Sequence, residues 1–193
     1  MEETVRQALE AGVRAVQLRD KTASTGKLVE QALVLGDMCR QFGALFLVND
    51  RVDVAMAAGS DGVHLGQDDM PLAYARKLLG PSAVIGISVR TCQEAEEAEK
   101  GGADYIAANM VFATETKTDL PEPLGLEMVT EIKGATSLPL VAIGGINEKN
   151  YREVMNAGAD GVAMVSAIMA ARDVGKFVKL LTTYSMRRLS YGE

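Results

Sequence analysis

Short apolar runs alternate along this chain with longer stretches in which apolar residues return every three or four positions. The runs at residues 15–20, 45–50, 62–66, 84–88, 105–111, 140–144 and 161–166 carry Val, Ile or Leu and predict strands buried on both faces. The intervening periodicity predicts helices near 4–11, 26–42, 52–58, 71–79, 92–100, 126–133, 149–157 and 174–185. Strands alternating with helices give the rhythm of a parallel α/β fold. One pattern recurs where a helix hands over to a strand: Ala11-Gly12-Val13, Ala58-Gly59-Ser60-Asp61-Gly62-Val63, Gly102-Ala103-Asp104-Tyr105 and Ala157-Gly158-Ala159-Asp160-Gly161-Val162. Glycine can take the left-handed conformation that ends a helix, so the recurrence reads as a set of αβ turns. Seven strands with eight helices fit a (β/α)8 TIM barrel whose first strand is missing, because the chain opens inside a helix. Such a sheet presents two unpaired edges.

Length and charge narrow the picture. A chain of 193 residues suits one domain, spanning 1–193, with a core large enough to need no metal staple or disulfide frame. A net charge of −6, with no basic run, excludes a nucleic-acid track. Cys39 and Cys92 lie far apart without metal-ligand spacing, which predicts reduced thiols in a cytoplasmic protein. No apolar run approaches the roughly 20 residues needed to span a bilayer, and Glu2 and Glu3 replace the basic start of a signal peptide, so neither membrane nor export is expected. The sequence leaves oligomeric state open, homo-oligomers included.

The candidate chemistry sits where strands end. Period two along Val16-Gln17-Leu18-Arg19-Asp20-Lys21 puts Gln17, Arg19 and Lys21 on one face, and such a polar row inside a barrel requires a counter-anion or a solvent-filled mouth. A bound diphosphate would serve; internal salt bridging, for instance by Arg19, is the alternative. Asn49-Asp50 and Gly66-Gln67-Asp68-Asp69 place carboxylates at the ends of the next two strands, where hard oxygens suit magnesium bridged to phosphate. Helix capping by Asp68 or Asp69 ahead of Pro71 is the competing reading. Thr114-Glu115-Thr116-Lys117 offers hydroxyls, amides and a cation to phosphate oxygens, or else forms an ordinary surface loop. Ile143-Gly144-Gly145-Ile146-Asn147 and Val165-Ser166-Ala167-Ile168 close the last two strands, where barrels often bind phosphate on backbone amides and a short extra helix. His64, the only histidine, is expected to be a hydrogen-bonded core residue, and Met56, Met155, Met164 and Met169 to be packing.

Taken together, Gln17-Leu18-Arg19-Asp20-Lys21, Asn49-Asp50, Gly62-Val63-His64-Leu65-Gly66-Gln67-Asp68-Asp69, Gly86-Ile87-Ser88, Thr114-Glu115-Thr116-Lys117 and Ile143-Gly144-Gly145-Ile146 resemble the thiamine phosphate synthase family. The resemblance covers nearly the whole chain. It implies a magnesium-dependent transferase of thiamine biosynthesis that joins 4-amino-2-methyl-5-(diphosphooxymethyl)pyrimidine to a thiazole phosphate through a dissociative, carbocation-like reaction. By the same resemblance Gln17, Arg19, Lys21, Asn49 and Lys117 hold the pyrimidine diphosphate, and Asp50 and Asp69 bind Mg2+. Ser88, Thr114 and Thr116 line the substrates and diphosphate, while Gly145 with the backbone of Val165 and Ser166 takes the thiazole phosphate. Arg19, Lys21, Ser88 and Lys117 are the catalytic set. Two alternatives are a thiazole tautomerase-like enzyme, which would not need Arg19, Lys21, Asp50, Asp69 and Lys117, and a non-catalytic thiamine-precursor binding protein. The chain departs from the family pattern at Asn109-Met110 and Ala113, which stand where Gly-Pro and a later Pro are usual.

Overall fold

The computed structural model describes residues 1–113 and 122–191, with side chains described to residue 183. In chain order the elements are α1 (Glu2–Glu10), β1 (Ala15–Leu18), α2 (Thr25–Phe42), β2 (Leu45–Asn49), α3 (Val52–Ala58), β3 (Gly62–Leu65), α4 (Leu72–Leu79) and β4 (Val84–Val89). They continue as α5 (Cys92–Lys100), β5 (Tyr105–Asn109), α6 (Gly125–Gly134), β6 (Leu140–Ile143), α7 (Tyr151–Asn156), β7 (Gly161–Ala163), α8 (Ser166–Met169) and α9 (Val174–Tyr191). Strand order follows the sequence from β1 to β7, the order of a (β/α) barrel built from seven strands. Two compact units make up the chain, Met1–Val63 with Val165–Glu193, and His64–Met164. Among the described residues no helix is long and apolar enough to cross a membrane.

In the first unit, β1 and β2 pair in parallel, with Val16 opposite Phe46 and Leu18 opposite Val48. Ser24 caps α2 by accepting a hydrogen bond from the Lys27 amide at 3.4 Å, and Gly43 ends it in the left-handed conformation at φ 62°. Leu28, Ala32, Leu35 and Cys39 fall on one helical stripe and are all buried. Gly36 lies on the same helix where a Cβ would come within 3.2 Å of the Phe46 ring, so its missing side chain lets α2 approach β2. Burial raises the Cys39 thiol to about 11, with the Asp61 charge adding to the effect, which keeps it protonated and unreactive. Ala8, Ala11, Val174 and Val178 pack α1 on α9.

In the second unit, β4 to β7 pair in parallel, with Ile87 opposite Ile106, Ala108 opposite Ala142 and Ala142 opposite Val162. Thr91 caps α5 by accepting from the Glu94 amide at 3.1 Å, and the Glu94 carboxylate accepts in return from the Arg90 amide.

The recurrent αβ turns use their glycines as expected, since Gly12, Gly59, Gly102 and Gly158 all have positive φ. Their aspartates do work that the sequence reading missed. The Asp61 Oδ2 accepts from the Phe46 amide at 2.7 Å, Asp104 Oδ2 from Ile85 at 2.7 Å and Asp160 Oδ2 from Leu140 at 2.8 Å. In each case the aspartate's own amide donates to the carbonyl of the same partner. Each aspartate thereby ties the start of one strand to the turn entering the next, satisfying an amide that begins a buried strand. Arg76 and Lys133 pair with Asp104 and Asp160 at 2.6 and 2.8 Å. The first turn carries Arg14 at this position, and there the Leu45 amide donates to the Arg14 carbonyl.

Three strands stop two or more residues before the point that the hydrophobic pattern predicts. β1 ends at Leu18 instead of Asp20, because the Asp20 carboxylate accepts from the Thr22 amide and hydroxyl and the Ala23 amide and turns the chain. Only Gln17 therefore lies on the strand, and the expected strand-face row of Gln17, Arg19 and Lys21 does not form. β5 ends at Asn109 instead of Val111, since Met110 has φ 62° and the Met110 and Val111 carbonyls accept from Leu124 and Gly125. β7 ends at Ala163, and Ser166 opens the short helix α8 instead of closing a strand.

Candidate active site

Among the described residues, the polar residues singled out in the sequence lie at or just beyond the carboxyl ends of their own strands, and each unit holds one well-defined local constellation. In the first unit, Gln17, Arg19 and Lys21 are exposed at and just beyond the end of β1. The Asx turn at Asp20 redirects the backbone, and Lys21 Nζ comes to 3.4 Å from Asp50 Oδ2. The lysine is well exposed and the aspartate side chain only 20% so, which makes this a one-sided ion pair open to solvent. The ion pair of this row belongs to Lys21; Arg19 makes none among the described residues.

Asn49 is the last residue of β2, and Asp50 follows it with φ 61°. The Arg51 amide donates to the Asn49 carbonyl at 2.7 Å, closing a three-residue turn around Asp50. A side chain other than glycine is disfavoured at such φ, and aspartate is among the few that tolerate it. The backbone is thus strained where the carboxylate is presented, a pattern common at functional sites.

In the second unit, the Asp69 Oδ2 accepts from the Gly66 amide at 2.7 Å. That bond turns the chain back after β3; neither Asp68 nor Asp69 caps α4, whose first residue is preceded by an uncapped Pro71. Ser88 lies near the end of β4, and its hydroxyl is 2.9 Å from His64 Nε2. His64 Nδ1 is in turn 2.9 Å from the Tyr105 hydroxyl, and Gln67 Nε2 donates to the Ser88 carbonyl at 2.7 Å. His64 is 6% exposed and hydrogen-bonded at both nitrogens, the buried core histidine that the sequence reading anticipated. Burial lowers its pKa to about 4, so the ring is neutral near pH 7, and burial likewise raises the Tyr105 phenol.

Gly86 makes the chain of hydrogen bonds geometrically feasible. It lies opposite Tyr105 in the β4–β5 register, and a Cβ there would fall 2.0 Å from Tyr105 Cζ. The tyrosine ring therefore lies across the bare glycine to reach His64. The part played by Gly86 and Tyr105 was invisible in the sequence, because it depends on a cross-strand register.

Gly144 and Gly145 have φ 107° and 64°. A Cβ at Gly144 would meet Met110 Cα at 2.5 Å, and one at Gly145 would meet the Ala113 carbonyl oxygen at 2.7 Å. The close approach these glycines permit is that of the segment following β5. The Gly145 carbonyl accepts from the side-chain amides of Asn147 and Asn150 at 3.2 and 3.0 Å. Val165 and Ser166 are exposed at the start of α8. Thr114, Thr116 and Lys117 lie outside the described residues.

Asp50 and Asp69 each supply hard carboxylate oxygens, the donor chemistry that magnesium prefers. Among the described residues no three carboxylate, imidazole or thiol groups gather into a ready-made metal cage. Magnesium keeps several waters and needs no such cage, so each aspartate fits the ion by its donor chemistry.

Parallel strands in sequence order, with polar residues at their carboxyl ends, define an enzyme on the (β/α)-barrel plan. The thiamine monophosphate synthase family profile matches residues 1–168. The chain is 50% identical over 167 residues to a thiamine-phosphate synthase of Chloroflexus aurantiacus, covering 86% of this chain and 77% of that one. It is 49% identical over 174 residues to a thiamine-phosphate synthase of Pyrococcus furiosus, covering 90% and 83%. A solved thiamine phosphate pyrophosphorylase from Pyrococcus furiosus superposes with a TM-score of 0.88 at 45% identity, covering 96% of this chain and 89% of that one. The chain belongs to the thiamine monophosphate synthase family.

Proposed function

We propose that this chain condenses 4-amino-2-methyl-5-(diphosphooxymethyl)pyrimidine with a thiazole phosphate, giving thiamine phosphate and diphosphate. Close identity over most of the chain supports the reaction, and the observation that carries the site assignment is the 3.4 Å pairing of Lys21 with Asp50 just past the ends of β1 and β2. A cation and a carboxylate held together at an open rim are what a metal-bridged diphosphate would engage.

In this reading Gln17, Arg19, Lys21, Asn49 and Lys117 hold the pyrimidine diphosphate, and Ser88, Thr114 and Thr116 line it. Gly145 and the backbone of Val165 and Ser166 receive the thiazole phosphate. Asp50 and Asp69 would hold Mg2+, which when bound supplies positive charge against the diphosphate oxygens. Arg19, Lys21 and Lys117 offset the charge that grows on the diphosphate as its bond to the pyrimidine methylene lengthens. The thiazole nitrogen, held close by the protein, then captures the electron-poor methylene before water can. No protein nucleophile is needed. A cytoplasmic location agrees with the reduced thiols, and self-association is compatible with this reading.

Product formation from the two substrates, with and without magnesium, tests the assignment. Turnover should require the ion, and Asp50→Ala and Lys21→Ala should each abolish it while leaving the fold intact. Normal turnover by Asp50→Ala, or undiminished activity in excess chelator, would overturn it.

A further inference from the structure

Buried histidines bonded at both nitrogens have a definite donor order, and here it can be worked out. The neutral imidazole donates from one nitrogen and accepts at the other. If Ser88 donated to His64 Nε2, Nδ1–H would donate to the Tyr105 oxygen, and the phenolic proton would have to find a further acceptor. Among the described residues the Tyr105 hydroxyl bonds to His64 alone. In the opposite order, Tyr105 O–H donates to Nδ1 and Nε2–H donates to Ser88 Oγ, so the buried imidazole N–H and the largely desolvated phenol O–H are both satisfied. The Ser88 proton is then the one left over, and Ser88 is only partly buried, at the end of β4. The Gln67 bond to the Ser88 carbonyl fixes the backbone that carries this hydroxyl.

We propose that Tyr105 and His64 form a relay of fixed polarity that turns the Ser88 hydroxyl outward as a hydrogen-bond donor to an anionic oxygen of the departing diphosphate. The inference rests on the functional reading above and adds two positioning residues to it, Tyr105 and His64, with Ser88 as the group that touches substrate. No proton is transferred along the relay. Its contribution is orientation: a hydroxyl whose lone pair is already engaged by Nε2–H cannot fold back onto the imidazole and is poised to donate where charge develops.

Because the chain holds a single histidine, its ring nitrogens can be read without assignment ambiguity. In the tag-free protein, long-range 1H–15N correlation near pH 7 should show the Nε2–H tautomer, and Tyr105→Phe should shift the ring toward Nδ1 protonation or a mixture. An Nδ1–H tautomer in the unsubstituted protein would overturn the proposal. Kinetically, Tyr105→Phe should lower kcat about tenfold with little change in KM for the pyrimidine diphosphate, the pattern of an interaction made in the transition state. The same substitution in a Ser88→Ala background should have almost no further effect on kcat. Full kcat in Tyr105→Phe, or an equal loss with and without Ser88, would sink the relay, and urea midpoints measured alongside separate either result from simple unfolding. Should the unsubstituted chain form no thiamine phosphate at all, the functional reading fails, while the tautomer measurement still reports on the relay's polarity.

Discussion

Gly86→Ala is the most informative single substitution in the second unit, because one added methyl group attacks a chain of buried hydrogen bonds. The new Cβ would lie 2.0, 2.2 and 2.5 Å from Tyr105 Cζ, Cε1 and the hydroxyl, well inside van der Waals contact. The ring must yield, and any displacement that clears the methyl group breaks the 2.9 Å contact with His64 Nδ1. Overpacking costs about 1–3 kcal/mol. Losing the hydrogen bond and leaving a buried ring nitrogen without its partner adds about 1–3 kcal/mol. The sum, about 2–6 kcal/mol, lowers the urea midpoint by about 1 M or more at a slope of about 2 kcal/mol/M. Equilibrium unfolding followed by circular dichroism reads this directly. In a Tyr105→Ala background the obstructing ring is gone, so Gly86→Ala should cost little. A loss under about 1 kcal/mol in the parent, or the same loss in both backgrounds, would refute the reasoning that Gly86 exists to admit Tyr105.

The remaining expectations concern other sites. His64 titrates near 6.5 when unfolded and about 4 when folded, so the unfolded chain binds more protons throughout that interval and stability declines as pH falls through it. The expected loss between pH 7 and pH 4 is about 3 kcal/mol, seen as a falling urea midpoint that flattens in His64→Gln. Asp50→Gly should abolish turnover yet hold or raise stability by up to about 1 kcal/mol, because glycine relieves the positive φ; a marked loss of stability would contradict the strain at this turn. Asp160→Ala strands the Leu140 amide at the start of a buried strand and should cost about 2 kcal/mol, whereas Asp160→Asn keeps an acceptor and should recover part of it. Equal losses for the two Asp160 variants in urea unfolding would show that the strand-start bond is not what the aspartate supplies.

Hydrophobic periodicity by itself determined which segments become strands and helices, since a run buried on both faces and a stripe repeating every three to four residues have different periods whatever surrounds them. All seven strands, and helices such as Val52–Ala58 and Cys92–Lys100, form where that pattern puts them. The motifs also announced the family and the candidate residues, because Asn49-Asp50 and Gly66-Gln67-Asp68-Asp69 follow strands whose ends the pattern already marks. Periodicity could not decide where strands stop: the side-chain bonds of Asp20 end β1 two residues short of the predicted stop, and the left-handed turn at Met110 ends β5 while apolar residues continue. A proline could not adopt φ 62°, so the Met110 departure changes the backbone itself and not only a side chain. Nor could the sequence reveal that Asp61, Asp104 and Asp160 fasten earlier strands, that Gly86 makes room for Tyr105, or that His64 links Tyr105 to Ser88. Those facts depend on which residues face each other across neighbouring strands, and that register is set by the packed chain, not by any local run of residues.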